Sequence, residues 1–142
     1  MIDGIVITRL KRILNEKGDI YHALKNSDES FSSFGEAYFS SVHLDDIKGW
    51  KKHTKMILNL VVPVGSIRFV FYDDRYESNS YGEYVDVIAS PDNYVRLTVP
   101  AGVWVAFQGV GSGLNLLLNI ASIEHDPSES ISEALSYIPY KW

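Results

Sequence analysis

The chain has 142 residues, 13 basic and 18 acidic side chains for a formal charge of −5, and no cysteine. For a chain of 16.0 kDa, folding hides about 68% of the unfolded surface, enough for one core, so a single domain spanning 1–142 is predicted. Net acidity without a run of five Lys or Arg argues against nucleic acid and anionic membranes as partners, and the missing cysteines exclude a disulfide scaffold, thiolate metal sites and a cysteine nucleophile. No apolar run approaches the roughly 20 residues of a membrane span. The opening Met1-Ile-Asp-Gly-Ile-Val-Ile-Thr-Arg lacks the basic and long apolar regions of a secretion signal. A cytosolic protein with a small-molecule ligand is the expectation.

In chain order, Ile5-Val6-Ile7 is an apolar strand, Asn26 to Ser33 is a loop rich in Ser, Asp and Glu, and Gly35 to Val42 alternates with Glu36, Tyr38 and Ser40 on one parity. From Lys55 to Val64 nearly every residue is apolar and many are β-branched, and the run stops at Pro63 and Gly65, which favours strand over helix. Next, Ile67, Phe69 and Phe71 alternate with Arg68, Val70 and Tyr72, which is period two. Asp73 to Gly82 is a polar turn-rich loop, and Tyr84 to Ser90 returns as the second strand of a hairpin. Pro91-Asp92-Asn93 and Pro100-Ala101-Gly102 turn the chain around Val95, Leu97 and Val99, after which Val103 to Gln108 and Leu114 to Ile123 complete the strands. Gly109-Val110-Gly111-Ser112-Gly113 lies between two strands without a following helix or a Lys, so it reads as a hairpin turn and not a phosphate cradle. The helical candidates are short, such as Ser130 to Ser136. Strands every 10 to 15 residues predict an all-β antiparallel sandwich or jelly-roll barrel with a short C-terminal helical segment.

Polar residues inside these strands carry the functional signal, because burying an unpaired amide or charge is costly. Glu36, Tyr38 and Ser40 share one parity, His53 shares parity with Asn59 if the strand begins early, and Asn119 interrupts the last apolar run. On the inward face of a barrel they would line a ligand cavity; the alternative is that they bond to loops or face solvent.

Lys48-Gly49-Trp50-Lys51-Lys52-His53 resembles the Arg-Gly-Leu-His segment of the deoxythymidine-diphosphate-4-dehydrorhamnose 3,5-epimerases of the cupin superfamily. Tyr72-Asp73-Asp74-Arg75 with Ser78-Asn79-Ser80-Tyr81-Gly82 is similar to that family's Asp-Leu-Arg and Ser-Pro-Thr-Phe-Gly stretch, and Pro100 to Phe107 to its Pro-x-Gly-x-Ala-His-Gly-Phe. Glu36-Ala37-Tyr38-Phe39-Ser40 falls where the family has Gln-x-Asn-x-Ser, and Lys17-Gly18 where it has Arg-Gly. The resemblance covers about residues 5 to 125 as short matches in the right order. It implies a cupin-type jelly-roll, a nucleotide-linked deoxysugar as ligand, a role in cell-surface polysaccharide synthesis and no cofactor. It also implies pairing through sheet edges, for which Ile5-Val6-Ile7 with Leu10 and Ile13 offers an edge, so a homodimer is expected.

The family's reaction removes a proton next to a keto group and returns one from the opposite face, which needs a base, an acid and a group to stabilise the enolate. Here Lys51 stands at the basic His, Val105 at the second His, and Leu118 aligns with the catalytic Tyr. His53 matches the second His of the His-x-His in related sugar-nucleotide ketoisomerases. The remaining catalytic candidates are therefore His53 and Lys51 as bases and Tyr38 as acid. Lys17 and Lys48 stand at phosphate-binding positions, and Glu36, Asn59 and Asn119 complete the expected binding residues. Metal-binding cupins use two His and a Glu on the first motif and a His on the second; His53 alone is present here, so no metal is expected. His125 reads as a turn residue of a Pro- and Ser-rich loop, and His22 and His43 as surface residues. Three outcomes stay open: a 3,5-epimerase or ketoisomerase-like enzyme, a catalytically degenerate relative that binds a sugar nucleotide or sugar in a regulatory or scaffolding role, and a plain dimeric β-barrel with no nucleotide ligand.

Overall fold

The period-two stretches form the strands of two facing sheets in a computed structural model that describes residues 1–142. The strands are β1 (Val6–Arg9), β2 (Arg12–Ile13), β3 (Ile20–Tyr21), β4 (Glu36–Ser41), β5 (Ile47–His53), β6 (Leu58–Val64), β7 (Ile67–Asp73), β8 (Tyr84–Ala89), β9 (Val95–Val99), β10 (Val103–Gly109), β11 (Leu116–Ala121) and β12 (Ser130–Ser132). One sheet has the order β1-β9-β6-β11-β4, the other β12-β5-β10-β7-β8, and β2 pairs with β3 as a small ribbon. All named pairings are antiparallel. This is the predicted all-β cupin-type jelly-roll, in which the chain passes repeatedly from sheet to sheet.

Inward-facing residues build the core between the sheets: Leu58, Leu60 and Val62 from β6, Ile67, Phe69 and Phe71 from β7, and Val95, Leu97 and Val99 from β9. The opposite parity of the second sheet is also buried, as Trp50, Val70, Trp104 and Ala106 pack with Ile138, Tyr140 and Trp142 of the C-terminal tail. The tail explains why β7 and β10 have large apolar residues on both faces, and the Trp50 indole fastens it by donating to the Leu135 carbonyl at 3.2 Å. Where the tail lies over the second sheet, burying a side chain of this size stabilises by about 1.5–3 kcal/mol.

Glycine is required at Gly65, between β6 and β7, where φ is +79° and a Cβ would lie 2.2 Å from the Leu114 carbonyl oxygen. A side chain at that position would collide with the Leu114–Asn115 backbone, and the positive φ itself favours glycine.

Several sequence expectations shift. The run Lys55 to Val64 forms one strand with a later start: β6 begins at Leu58, and a non-strand stretch at 54–57 separates it from β5, which ends at His53. Pro63 is tolerated within β6 because the pairing with β11 slips there, Leu116 facing Val64 and Leu118 facing Val61. The glycine-rich 109–113 segment is not a hairpin turn, since β10 and β11 belong to different sheets; it carries the chain across the barrel and is held by Asn115, whose Nδ2 donates to the carbonyls of Gly111 (2.8 Å) and Val42 (3.1 Å). Ser130 to Ser136 is not a helix: β12 pairs with β5, and the helical turns are two 3₁₀ segments at Pro127–Glu129 and Leu135–Tyr137. No helix is long and apolar enough to cross a membrane.

Candidate functional site

A cavity of about 320 Å³ opens between the two sheets, walled by β4 and β11 on one side and by β5 and β10 on the other. Its floor is apolar, made by Met56, Leu58, Leu60 and Leu117. Its polar groups come from alternating positions, as the parity argument required: Glu36, Tyr38 and Ser40 from β4, Asn119 from β11, and Lys51 and His53 from β5. Lys48 also faces it, although it is three residues from Lys51. The reason is a bulge: Phe107 and Val105, two residues apart on β10, pair with Lys48 and Lys51, so β5 holds one extra residue between them. Both lysines thereby reach one cavity while Trp50 turns to the other face.

His53 is the most tightly organised group in the site. Its Nδ1 is hydrogen-bonded to Glu129 Oε1, and the other carboxylate oxygen accepts the backbone N–H groups of Thr54 (3.1 Å), Lys55 (3.0 Å) and Met56 (3.1 Å). Glu129 is 4% exposed. Burial works against its charge, but the His53 bond and the backbone N–H groups outweigh it and hold its carboxyl below the usual range. This arrangement fixes the ring and leaves Nε2, which has no partner within the chain, as the nitrogen available for chemistry.

Tyr38 and His53 stand on opposite sheets and line the same cavity. Burial first, and then the Glu36 charge, raise the Tyr38 hydroxyl pKa, with a smaller opposing effect from Asn119. It is therefore a proton donor at neutral pH. Glu36, Lys48 and Lys51 make no ion pair within the chain. No three His, Cys, Asp or Glu side chains converge as a metal ligand set.

Three assignments change. Asn59 is buried but faces away from the cavity, because β6 directs Leu58 and Leu60 inward; its Oδ1 accepts from Thr98 Oγ1 at 2.6 Å and its Nδ2 donates to the Ser30 carbonyl at 3.4 Å. It helps Arg96 hold the 23–30 loop, as that guanidinium donates to the Ala23 carbonyl and to Ser30 Oγ, both at 2.7 Å. Lys17 is exposed in the turn between β2 and β3, and does not line the cavity. Leu118 points outward with Phe34, Ala37 and Ile120, so the inward positions flanking it are Leu117 and Asn119.

Two further residues belong to the site. His125, read as a turn residue, lies at the cavity mouth. Gly35 makes this placement feasible, because a Cβ there would lie 2.0 Å from the Ile123 carbonyl carbon. Glu129 gave only the sequence signal of a turn, an acid three residues after Asp126, whose side chain caps Ser128 N. Its partner is 76 positions away.

No protein-family model matches the chain. A dTDP sugar isomerase from Desulfovibrio desulfuricans G20 has a solved structure that superposes with a TM-score of 0.95 at 36% identity, covering 99% of this chain and 92% of that one. Two curated relatives are each 24% identical: the spore coat polysaccharide biosynthesis protein SpsL of Bacillus subtilis, over 91% of this chain and 85% of its own, and the probable low-salt glycan biosynthesis epimerase Agl13 of Haloferax volcanii, over 96% and 88%. With the jelly-roll, the interior cavity and near-complete overlap with that isomerase at 36% identity, the chain belongs to the dTDP sugar isomerase family.

Proposed function

We propose that this protein binds a dTDP-linked 4-keto-6-deoxyhexose and moves protons at the carbon next to the keto group, as an epimerase or ketoisomerase of polysaccharide or glycan synthesis. The observation that carries the reading is the facing pair: a carboxylate-held imidazole on β5 and a protonated phenol on β4, across a cavity of sugar size. His53 Nε2 takes the proton α to the carbonyl, Glu129 stabilises the imidazolium that results, and the enolate regains a proton from Tyr38. Lys51 sits beside His53 on the same wall and serves as the cation for the enolate oxygen, while Lys48 holds the diphosphate at the mouth. Glu36 accepts from sugar hydroxyls. With Val105 and Lys51 at the positions of the two family histidines, one base remains, so the expected chemistry is exchange at one carbon.

The test is incubation with dTDP-4-keto-6-deoxyglucose in deuterated water, following deuterium at C3 and C5 by NMR. Incorporation at one carbon that is lost in His53→Ala supports the mechanism. Full-rate exchange at both carbons in His53→Ala refutes it. Binding of the nucleotide sugar with no exchange for several keto sugars favours the binding-only relative, for which Lys51 and Val105 at the family's histidine positions argue.

A homodimer and a cytosolic location belong to the same proposal. One side of β1 pairs with β9 and the other is a free edge, with Val6 and Ile7 exposed. Sedimentation at twice 16.0 kDa is expected, and a single monomeric species at micromolar concentration would reject the dimer.

A further inference from the structure

Asn119 is only 8% exposed and stands directly across from Tyr38 in the β11–β4 pairing. Its Nδ2 donates to Tyr38 Oη at 2.9 Å, which is the phenol's one hydrogen bond in the structure, and its Oδ1 is buried without a partner. A stranded acceptor destabilises a fold, and the strand otherwise carries Leu116, Leu117 and Leu118. Turning the amide over would strand an N–H donor instead, which folded proteins tolerate less well than a stranded carbonyl. The polarity of the bond follows: nitrogen donates and the phenol oxygen accepts.

A phenol oxygen that accepts from β11 cannot also direct its own hydrogen there. The hydrogen is left toward the open side of Tyr38, which is 47% exposed and lines the cavity. We propose that Asn119 is a positioning residue that aims the Tyr38 hydroxyl proton at the bound sugar, at the cost of one unmet buried acceptor. The inference rests on the reading of Tyr38 as the acid. Two influences on that proton then act in opposition. Burial and the Glu36 carboxylate keep it on the oxygen, while the Asn119 donor stabilises the phenolate left after transfer. Glu36 is the charged group that shares the β4 face with Tyr38, and Lys51, His53 and Lys48 face it from β5, with His125 at the mouth.

The test uses Asn119→Leu, Asn119→Asp and Tyr38→Phe in the full chain. Leucine removes the stranded acceptor at similar volume, so the thermal midpoint is expected to stay or rise, whereas a purely structural amide would lower it. The deuterium-exchange kcat falls about tenfold with KM within about twofold, on the low side of the 10²- to 10⁴-fold that a placed acid contributes. In ¹³Cζ-tyrosine NMR without substrate, the Tyr38 resonance, identified by its loss in Tyr38→Phe, titrates at higher pH in Asn119→Leu than in the unmutated protein. Aspartate accepts the phenolic proton and turns it away from the cavity, so Asn119→Asp loses more activity than Asn119→Leu. An Asn119→Asp variant at full rate, or a Tyr38 titration unmoved in Asn119→Leu, overturns the proposal. If the unmutated protein exchanges no deuterium, the catalytic reading of Tyr38 fails, and the NMR titration still decides whether Asn119 sets the Tyr38 proton.

Discussion

The loop after β7 and the cavity between the sheets both concentrate charge, and the fold treats them in opposite ways. Where β7 ends and the loop begins, Asp73 is wholly buried and both of its oxygens are matched: Arg75 Nε and Nη2 donate at 2.8 and 2.9 Å, and Ser78 and Ser80 hydroxyls at 2.7 and 2.6 Å. Arg75 also donates to the Asp3 carbonyl at 2.7 Å, tying the N-terminal segment to this loop. In the cavity, Lys48, Lys51 and Glu36 have no partner of opposite charge and Asn119 Oδ1 has none at all. Both regions fall on stretches that resemble family motifs, yet one set of charges is spent on the fold and the other is held open for a ligand. Sequence similarity alone does not separate the two roles; hydrogen-bond accounting does.

The largest effects are expected at the two buried carboxylates and their partners. Removing the imidazole in His53→Ala should lower deuterium exchange by 10²- to 10⁴-fold, the range of a general base, with nucleotide binding retained in calorimetry. Unchanged exchange would move the base elsewhere. Asp73→Asn should cost about 3 kcal/mol in urea unfolding, the range for breaking a buried pair, while the affinity for thymidine diphosphate stays the same. A variant that kept its stability but lost nucleotide binding would reverse the roles assigned to the two regions.

Smaller effects sharpen the contrast. Lys48→Glu should weaken thymidine diphosphate about tenfold, and the difference from the unmutated protein should shrink as salt is added, because the attraction is electrostatic. Affinity unchanged by the substitution would free Lys48 from that role. The acid side gives the smallest and most gradual signal. Burial raises the Asp73 pKa, but Arg75 and the two serine hydroxyls overcome it and hold the carboxyl well below its ordinary value. A carboxyl depressed in the folded state stabilises above its unfolded pKa, near 3.9, and loses that contribution as pH falls toward the folded value. The stability gap between the unmutated protein and Asp73→Asn should therefore be full at pH 7 and narrow progressively below about pH 4. A gap independent of pH would show that the asparagine's cost is one of packing.

Much of the site was legible because strand parity is local. Glu36, Tyr38 and Ser40 on β4, Lys51 with His53 on β5, and Asn119 on β11 all face the cavity as their spacing required. Parity fails where the ladder slips. Lys48 and Lys51 share a face only through the β5 bulge, which depends on how β10 pairs. Asn59 was misplaced by extending one strand through the turn at 54–57, which changed which parity pointed inward.

Alternating side chains and turn residues determine an all-β antiparallel sandwich or barrel, because period two and Gly/Pro punctuation are properties of neighbouring residues, and the motif resemblance narrows it to a jelly-roll. The tertiary structure alone decided that Glu129 meets His53 and that the tail buries Trp50. It also set His125 at the mouth, and left Lys17 outside the cavity. These are contacts between residues distant in sequence, fixed by which strands lie side by side and by closure of the two sheets around the cavity, so no local pattern could announce them.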